Sequence, residues 1–354
     1  MKSVAATLGP EGFGSYEVDW SGPHPSFKRV IKTPDYLLAP GFVDIHIHGA
    51  FGVDFMIASQ SDLLHLATKL EAIGYEAFFP TTVTASPSHI MNAVEALPEH
   101  PMIPGFHLEG PFISCEFPGA QPQEQIASIP IQRSEWDEIL SHPKLKIVTL
   151  APELPNALEF ILRLRRSDVL VGMGHTNATY EEARRGYEFG ATHTTHTFNA
   201  MRGFHHREAG TVGYALANAD MYSELIYDRH HVCKEAAALL YHCKSEDRVV
   251  AVSDGTLASG MPSGISVEMW GHRCTVEGGT VRLEEGGALA GSAITLLDAF
   301  RNLADDFGEE LAIRSCCIAP RTLLGWKKQP NVYLEFNRQF ELIERRVLHN
   351  SEGL

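Results

Sequence analysis

Eight short apolar runs lie at 42–48, 75–81, 103–109, 146–150, 169–174, 191–196, 222–227 and 249–254, and most of them stop at a polar or glycine residue. Helix-like stretches at 61–73, 87–96, 156–165, 179–189 and 234–243 separate several of them. Parallel strands need a crossover between them, and a helix is the usual one, so this alternation predicts an α/β fold with helices covering a parallel sheet. A doubly wound sheet and a (β/α)8 TIM-like barrel use the same elements. What separates the two is where the polar residues fall.

They fall at the ends of strands. The first run closes on His46-Ile47-His48, whose imidazoles, two residues apart on a strand, project to the same side. Glu109 ends the third run, His175 the fifth, His196 the sixth and Asp254 the eighth. Taken singly, each has an ordinary explanation: a core histidine, a solvated carboxylate, or an aspartate capping the turn at Gly255. Together they sit at the C-terminal ends of five strands, and a barrel gathers those ends on the one rim where sites of this fold form. His, Glu and Asp without neighbouring thiolates suit zinc or another borderline divalent ion. His193, three residues before His196, should point to the other side of a regular strand and is expected to support or pack instead.

The flanks read differently. Residues 1–39 are rich in Gly and Pro with strand-like pieces at 16–20 and 27–32; 265–285 reads as short hairpins; helix returns at 292–306; strand pieces near 332–336 and 340–343 close the chain. The expected organisation is a hydrolase barrel over 40–264 and 286–325. A small β-sandwich domain would be built from 1–39, the inserted 265–285 and the tail 326–354.

The formal charge of −15 disfavours nucleic acid and anionic membranes as partners. The opening MKSVAATLGPEGFGSYEVDW has no long apolar core, and no apolar run is long enough to span a bilayer, so no leader is expected. The six cysteines show no C-x-x-C spacing, which fits free thiols in a reducing, cytoplasmic setting.

PGFVDIHIHGAFGVDFM, PTTVTAS, GFHLEGPFIS, VTLAPE, GHTNATYEEA, GATHTTHTFNAM, HREAGTVGYAL, AVSDG and LAGS follow one another in an order that resembles the N-acetylglucosamine-6-phosphate deacetylases of the amidohydrolase superfamily, from about residue 39 to residue 325. The resemblance implies a divalent metal on Glu109, His175 and His196, with His46 and His48 able to hold a second. Zinc is favoured, with iron, manganese or cobalt as alternatives, and one or two ions per subunit. It implies metal-activated hydrolysis of an acetamide, releasing acetate from a phosphorylated amino sugar, with Asp254 beside the metal as the proton-handling catalytic residue. His231 corresponds to a substrate-contacting histidine, although His230 is adjacent. Arg207 corresponds to an arginine that reaches the substrate phosphate of a neighbouring subunit, which implies a homodimer or higher oligomer. Asn199 and Ala200 would add donors, and Leu289, Ala290 and Gly291 would line the sugar pocket.

Two departures bear on substrate choice. The family commonly reads Gly-Ala-His where this chain has Gly119-Ala120-Gln121, and Gln121 still exchanges hydrogen bonds but cannot become cationic. Arg229 stands where the family has glycine, either as a replacement phosphate donor or as a solvated side chain. These departures keep open a deacetylase of a different N-acylated amino sugar or related amide.

Overall fold

The computed structural model describes residues 3–284, 287 and 289–348. Eight parallel strands form its centre: β1 (Phe42–Ile47), β2 (Tyr75–Pro80), β3 (Phe106–Glu109), β4 (Leu145–Leu150), β5 (Leu170–Met173), β6 (His193–Thr194), β7 (Tyr222–Ile226) and β8 (Val249–Val252). β3 to β8 hydrogen-bond in sequence order and β1 pairs with β2. Two single bridges complete the ring, Thr81 to His107 between β2 and β3, and Ile47 to Gly255 between β1 and the end of β8. The sheet therefore curls shut on itself.

The helices sit where the apolar periodicity places them, at Gln60–Ala72, Pro87–Glu95, Ala157–Arg166, Tyr180–Glu188 and Lys234–Cys243. Local chemistry fixes their starts. Ser59 with Asp62, and Thr179 with Glu182, form reciprocal capping boxes that satisfy free N–H groups of the first turn. Asn177, two residues ahead of Thr179, accepts from the Arg202 guanidinium. A helix at Gly210–Ala217 was not legible: all but its final two residues are buried, so it has no polar face to set a period.

The main core lies between strands and helices, including Phe42, Phe78, Phe106, Phe160 and Phe300. A second cluster joins Val43, Ile45, Val250 and Val252 to the helix Ala319–Leu323. Polar residues are buried as well. Thr149 Oγ1 contacts both His107 Nε2 (2.8 Å) and Thr195 Oγ1 (2.7 Å). Gly172 of β5 makes room for this group, because a Cβ there would stand 2.3 Å from Thr195 Oγ1 and 2.7 Å from His193 Nε2.

The terminal segments form one mixed six-stranded sheet, in the order Leu342–Val347, Val332–Phe336, Tyr36–Pro40, Ser3–Gly9, Gly12–Asp19, Ser26–Arg29. The inserted hairpins do not join it, which corrects the expectation from sequence. Ser266–Met269, His272–Glu277, Thr280–Leu283 and Leu289–Ser292 make their own four-stranded sheet with their own apolar cluster around Met269, Cys274, Val276 and Val281. The reason is local. Ser292 bridges to Gly255 at the end of β8, which tethers the hairpin sheet to the barrel rim. Residues 285 and 286, where the sequence places the return to the barrel, and 349–354 of the tail lie outside the described residues.

Candidate metal centre

Closure of the barrel brings the strand ends together. His46 and His48 come from the end of β1, Glu109 closes β3, and His175, His196 and Asp254 follow β5, β6 and β8 by two residues each. His175, His196 and Asp254 have φ of +47°, +30° and +45°. This left-handed backbone is costly for residues with a Cβ and re-aims each side chain inward. That is why His196 reaches the site although strand periodicity puts it opposite its neighbours. Asp254 is tied across the seam by its N–H to the His46 carbonyl (2.9 Å), and His48 N–H donates to the Gly255 carbonyl (2.8 Å).

Two triads result, His46–His48–Asp254 and Glu109–His175–His196, all buried, with the ligand atoms of each within 4.8 Å of one another. Glu109 lies between them. Its Oε1 is 3.2 Å from His175 Nε2, 3.1 Å from His196 Nε2 and 3.4 Å from His46 Nε2, while Oε2 is 3.3 Å from His48 Nε2. Asp254 Oδ1 lies 3.4 Å from His46 Nε2 and 3.2 Å from His48 Nε2.

The tautomers follow from the other ring nitrogens. Nδ1 of His48, His175 and His196 faces the carbonyls of Thr81 (3.1 Å), Phe117 (3.1 Å) and Asn199 (3.2 Å), and Nδ1 of His46 faces a carboxylate oxygen of Glu224 (3.0 Å). All four partners only accept, so each Nδ1 carries the proton and each Nε2 presents a lone pair. The four lone pairs converge on two carboxylates and on one another, with His175 Nε2 and His196 Nε2 3.1 Å apart. His46 Nε2 is buried with no hydrogen-bond partner. Only positive charge at the centre relieves this arrangement, and imidazole and carboxylate donors suit a divalent ion.

The same crowding of carboxylates favours positive charge on the imidazoles themselves. Burial opposes charging His46 and His48, yet the Glu109 and Asp254 carboxylates outweigh it, with Glu224 adding to the pull on His46; His46 is raised well above the usual range and His48 to about 9. Burial also opposes ionising Glu109, but His46 and His175 outweigh it and hold that carboxyl well below its usual range. His107, by contrast, is pushed down to about 3, chiefly by burial, and stays neutral.

A cavity of about 610 Å³, counting its mouth, adjoins the two triads. Ala120, Gln121, Asn199, Ala200, His231, Leu289 and Gly291 all line it. His231 is held by Asp228, whose Oδ2 is 2.6 Å from its Nδ1, whereas His230 is exposed. Gln121 is more committed than a simple substrate contact. It donates to Glu109 Oε2 (2.6 Å) and accepts from Thr84 N–H (2.7 Å).

Three residues lie elsewhere. Ala290 is fully buried in the hairpin cluster; alternation along its strand aims it away from the cavity that Leu289 and Gly291 line, a correction to the sequence expectation. Arg207 is exposed and does not line this chain's own cavity; its guanidinium meets His206. Arg229 turns outward to Asp305 and Asp306 and is therefore no replacement phosphate donor in its own cavity.

Two residues were not found by sequence. Trp270, at the tip of the inserted hairpin, lines the cavity with its ring 5.2 Å from His48. Only the hairpin's unforeseen position made it part of the site. Glu224 is fully buried in the middle of β7; a carboxylate inside an apolar strand was a signal available in Ser223-Glu224-Leu225-Ile226.

This chain belongs to the amidohydrolase family, whose pattern matches residues 37–329. Within it, the chain is 35% identical over 294 residues to the N-acetylglucosamine-6-phosphate deacetylase of Bacillus subtilis (80% of this chain, 74% of that protein). It is 36% identical over 300 residues to the N-acetylgalactosamine-6-phosphate deacetylase of Escherichia coli O157:H7 (82% and 78%). Among solved structures it is similar to the N-acetylglucosamine-6-phosphate deacetylase of Thermotoga maritima, with a TM-score of 0.86 and 29% identity over 98% of this chain and 99% of that one. A mutant of the Mycobacterium smegmatis enzyme, solved in complex with N-acetyl-D-glucosamine-6-phosphate, gives a TM-score of 0.87 at 25% identity over 98% of each chain.

Proposed function

We propose that this enzyme hydrolyses the acetamide of N-acetylglucosamine 6-phosphate to glucosamine 6-phosphate and acetate. The observation that carries the reading is the convergence of four Nε2 lone pairs and two carboxylates beside a cavity of sugar-phosphate size. His46, His48, Glu109, His175, His196 and Asp254 would hold one or two divalent ions, zinc favoured. When bound, such an ion supplies Lewis acidity and lowers the pKa of a water molecule.

The protein supplies the rest. Asp254 accepts the proton as the water oxygen bonds to the acetyl carbon, and returns it to the sugar nitrogen as the carbon–nitrogen bond breaks, because an amine leaves poorly unless protonated. His231, its ring fixed by Asp228, offers its other nitrogen to the reacting group. Trp270 narrows the cavity over His48 and limits bulk water. Arg207, exposed and outside its own cavity, suits a contact with the phosphate of a partner subunit's substrate, which makes the working form at least a dimer. All six cysteines are free, which supports a cytoplasmic setting. No described helix is long and apolar enough to cross a membrane.

Incubation of zinc-, iron-, manganese- or cobalt-loaded protein with the phosphorylated sugar should release acetate stoichiometrically with free amine; no release with any metal rejects the proposal. N-acetylgalactosamine 6-phosphate is the second reading, supported by the equal similarity to the Escherichia coli relative. Side-by-side kcat/KM values for the two epimers decide between them.

A further inference from the structure

We propose that Glu224, which lines no part of the cavity, is the positioning residue that makes the His46–His48 end of the site a second metal position. The inference rests on the metal-dependent reading above and concerns how many ions the site takes. Among the four candidate imidazoles, three donate Nδ1–H to neutral backbone carbonyls and only His46 donates to a carboxylate. An anionic acceptor there raises the basicity of Nε2 and locks ring orientation. The same Oε2 that receives His46 Nδ1–H (3.0 Å) also receives the backbone N–H of His196 (3.0 Å). One oxygen thus braces a ligand of each triad.

Glu224 is not simply a partner for His193. Its Oε1 stands 3.3 Å from His193 Nε2, yet neither atom makes a hydrogen bond in the structure, so both well-formed side-chain bonds go to the ligand residues.

Glu109 and Asp254 face Nε2 of His46 while Glu224 faces its Nδ1, so the ring lies between buried carboxylates on both of its edges. Glu224→Gln removes the carboxylate behind the ring and leaves the two in front of it. The substitution keeps shape: the amide oxygen can accept from His46 and His196 while the NH2 turns to His193 Nε2.

The test is metal stoichiometry and affinity for wild type and Glu224→Gln, by elemental analysis and by Co(II) titration of chelator-treated protein followed in the visible spectrum. Wild type should take two ions. The variant should keep one with a nearly unchanged constant and bind the second about 10- to 100-fold more weakly. A wild type that takes a single ion, or a variant with both constants unchanged or both lost together, overturns the inference while leaving the proposed function standing. A wild type that takes none removes the metal-dependent reading itself. If Glu224→Gln does not fold, proton NMR of zinc-loaded wild type replaces it. Once the His231 Nδ1 proton, which Asp228 also draws downfield, is assigned through Asp228→Asn, one of the four ligand imidazoles should still show an Nδ1 proton well downfield of the carbonyl-bonded ones, and four equivalent ligand shifts overturn the inference.

Discussion

Replacing Gln121 by leucine separates two accounts of this residue. If Gln121 is chiefly a substrate contact, Gln121→Leu raises KM and leaves the folded protein untouched. The structure assigns it a different task, because both ends of its amide are already engaged, Nε2 on Glu109 Oε2 at 2.6 Å and Oε1 on Thr84 N–H at 2.7 Å, in a side chain only 7% exposed. Leucine deletes both bonds at similar volume. The Thr84 N–H, buried and without another partner, costs about 1–3 kcal/mol to strand. The bond to the Glu109 carboxylate is worth about 1.5–3 kcal/mol, discounted because Glu109 faces the cavity and can be rehydrated. The expected destabilisation is about 2–4 kcal/mol, read from the shift of the urea midpoint at constant m-value in metal-free protein. In steady-state kinetics kcat should fall with KM nearly unchanged, because a bridging carboxylate that has lost its brace is mispositioned for chemistry rather than for sugar binding. A raised KM with unaltered kcat and unaltered urea midpoint would refute the reasoning.

Asp254→Asn should lower kcat by about 10²- to 10⁴-fold, the usual worth of a positioned proton carrier, in protein that still contains metal; activity within tenfold of wild type rules out this proton route. Chelation should lower the melting temperature, and zinc at about 100 times its dissociation constant should restore about 2.7 kcal/mol; an unchanged melt shows that no ion is bound in the fold. Arg207→Ala should selectively impair phosphorylated over unphosphorylated N-acetylhexosamine, while Arg229→Ala, which loses only outward contacts to Asp305 and Asp306, should leave that ratio unchanged. Equal losses from both substitutions would withdraw Arg207 as a phosphate contact.

The barrel and its rim were legible because both are written in local chemistry. Each strand carries its own apolar run, and His46, His48, Glu109, His175, His196 and Asp254 each sit at the end of one. What escaped depends on pairing between distant segments. Sequence cannot say which sheet a hairpin joins, so the 265–285 hairpins read as part of the terminal domain and Trp270 escapes with them. The left-handed turns at His175, His196 and Asp254 were equally invisible, since strand periodicity assumes an extended backbone beyond the last paired residue. Gln121 was recognised, but not that its amide would face Glu109, because the loop that returns it there has no period to read. Glu224 could have been found by asking what a carboxylate does inside a buried strand.

Gly255 has a consequence for how the molecule comes into being. Its carbonyl receives the N–H groups of His48 and Gly49, and its backbone bridges both Ile47 and Ser292. The last weld in the ring is thus also the joint on which one half of the ligand set hangs, and its halves come from positions some two hundred residues apart in the chain. Refolding protein can acquire a tight ion at His46 and His48 only once the first and last staves of the barrel have met. Uptake of the second coloured ion, the one held by His46 and His48, therefore clocks the moment of closure, and a chain cut before the eighth strand should never start that clock.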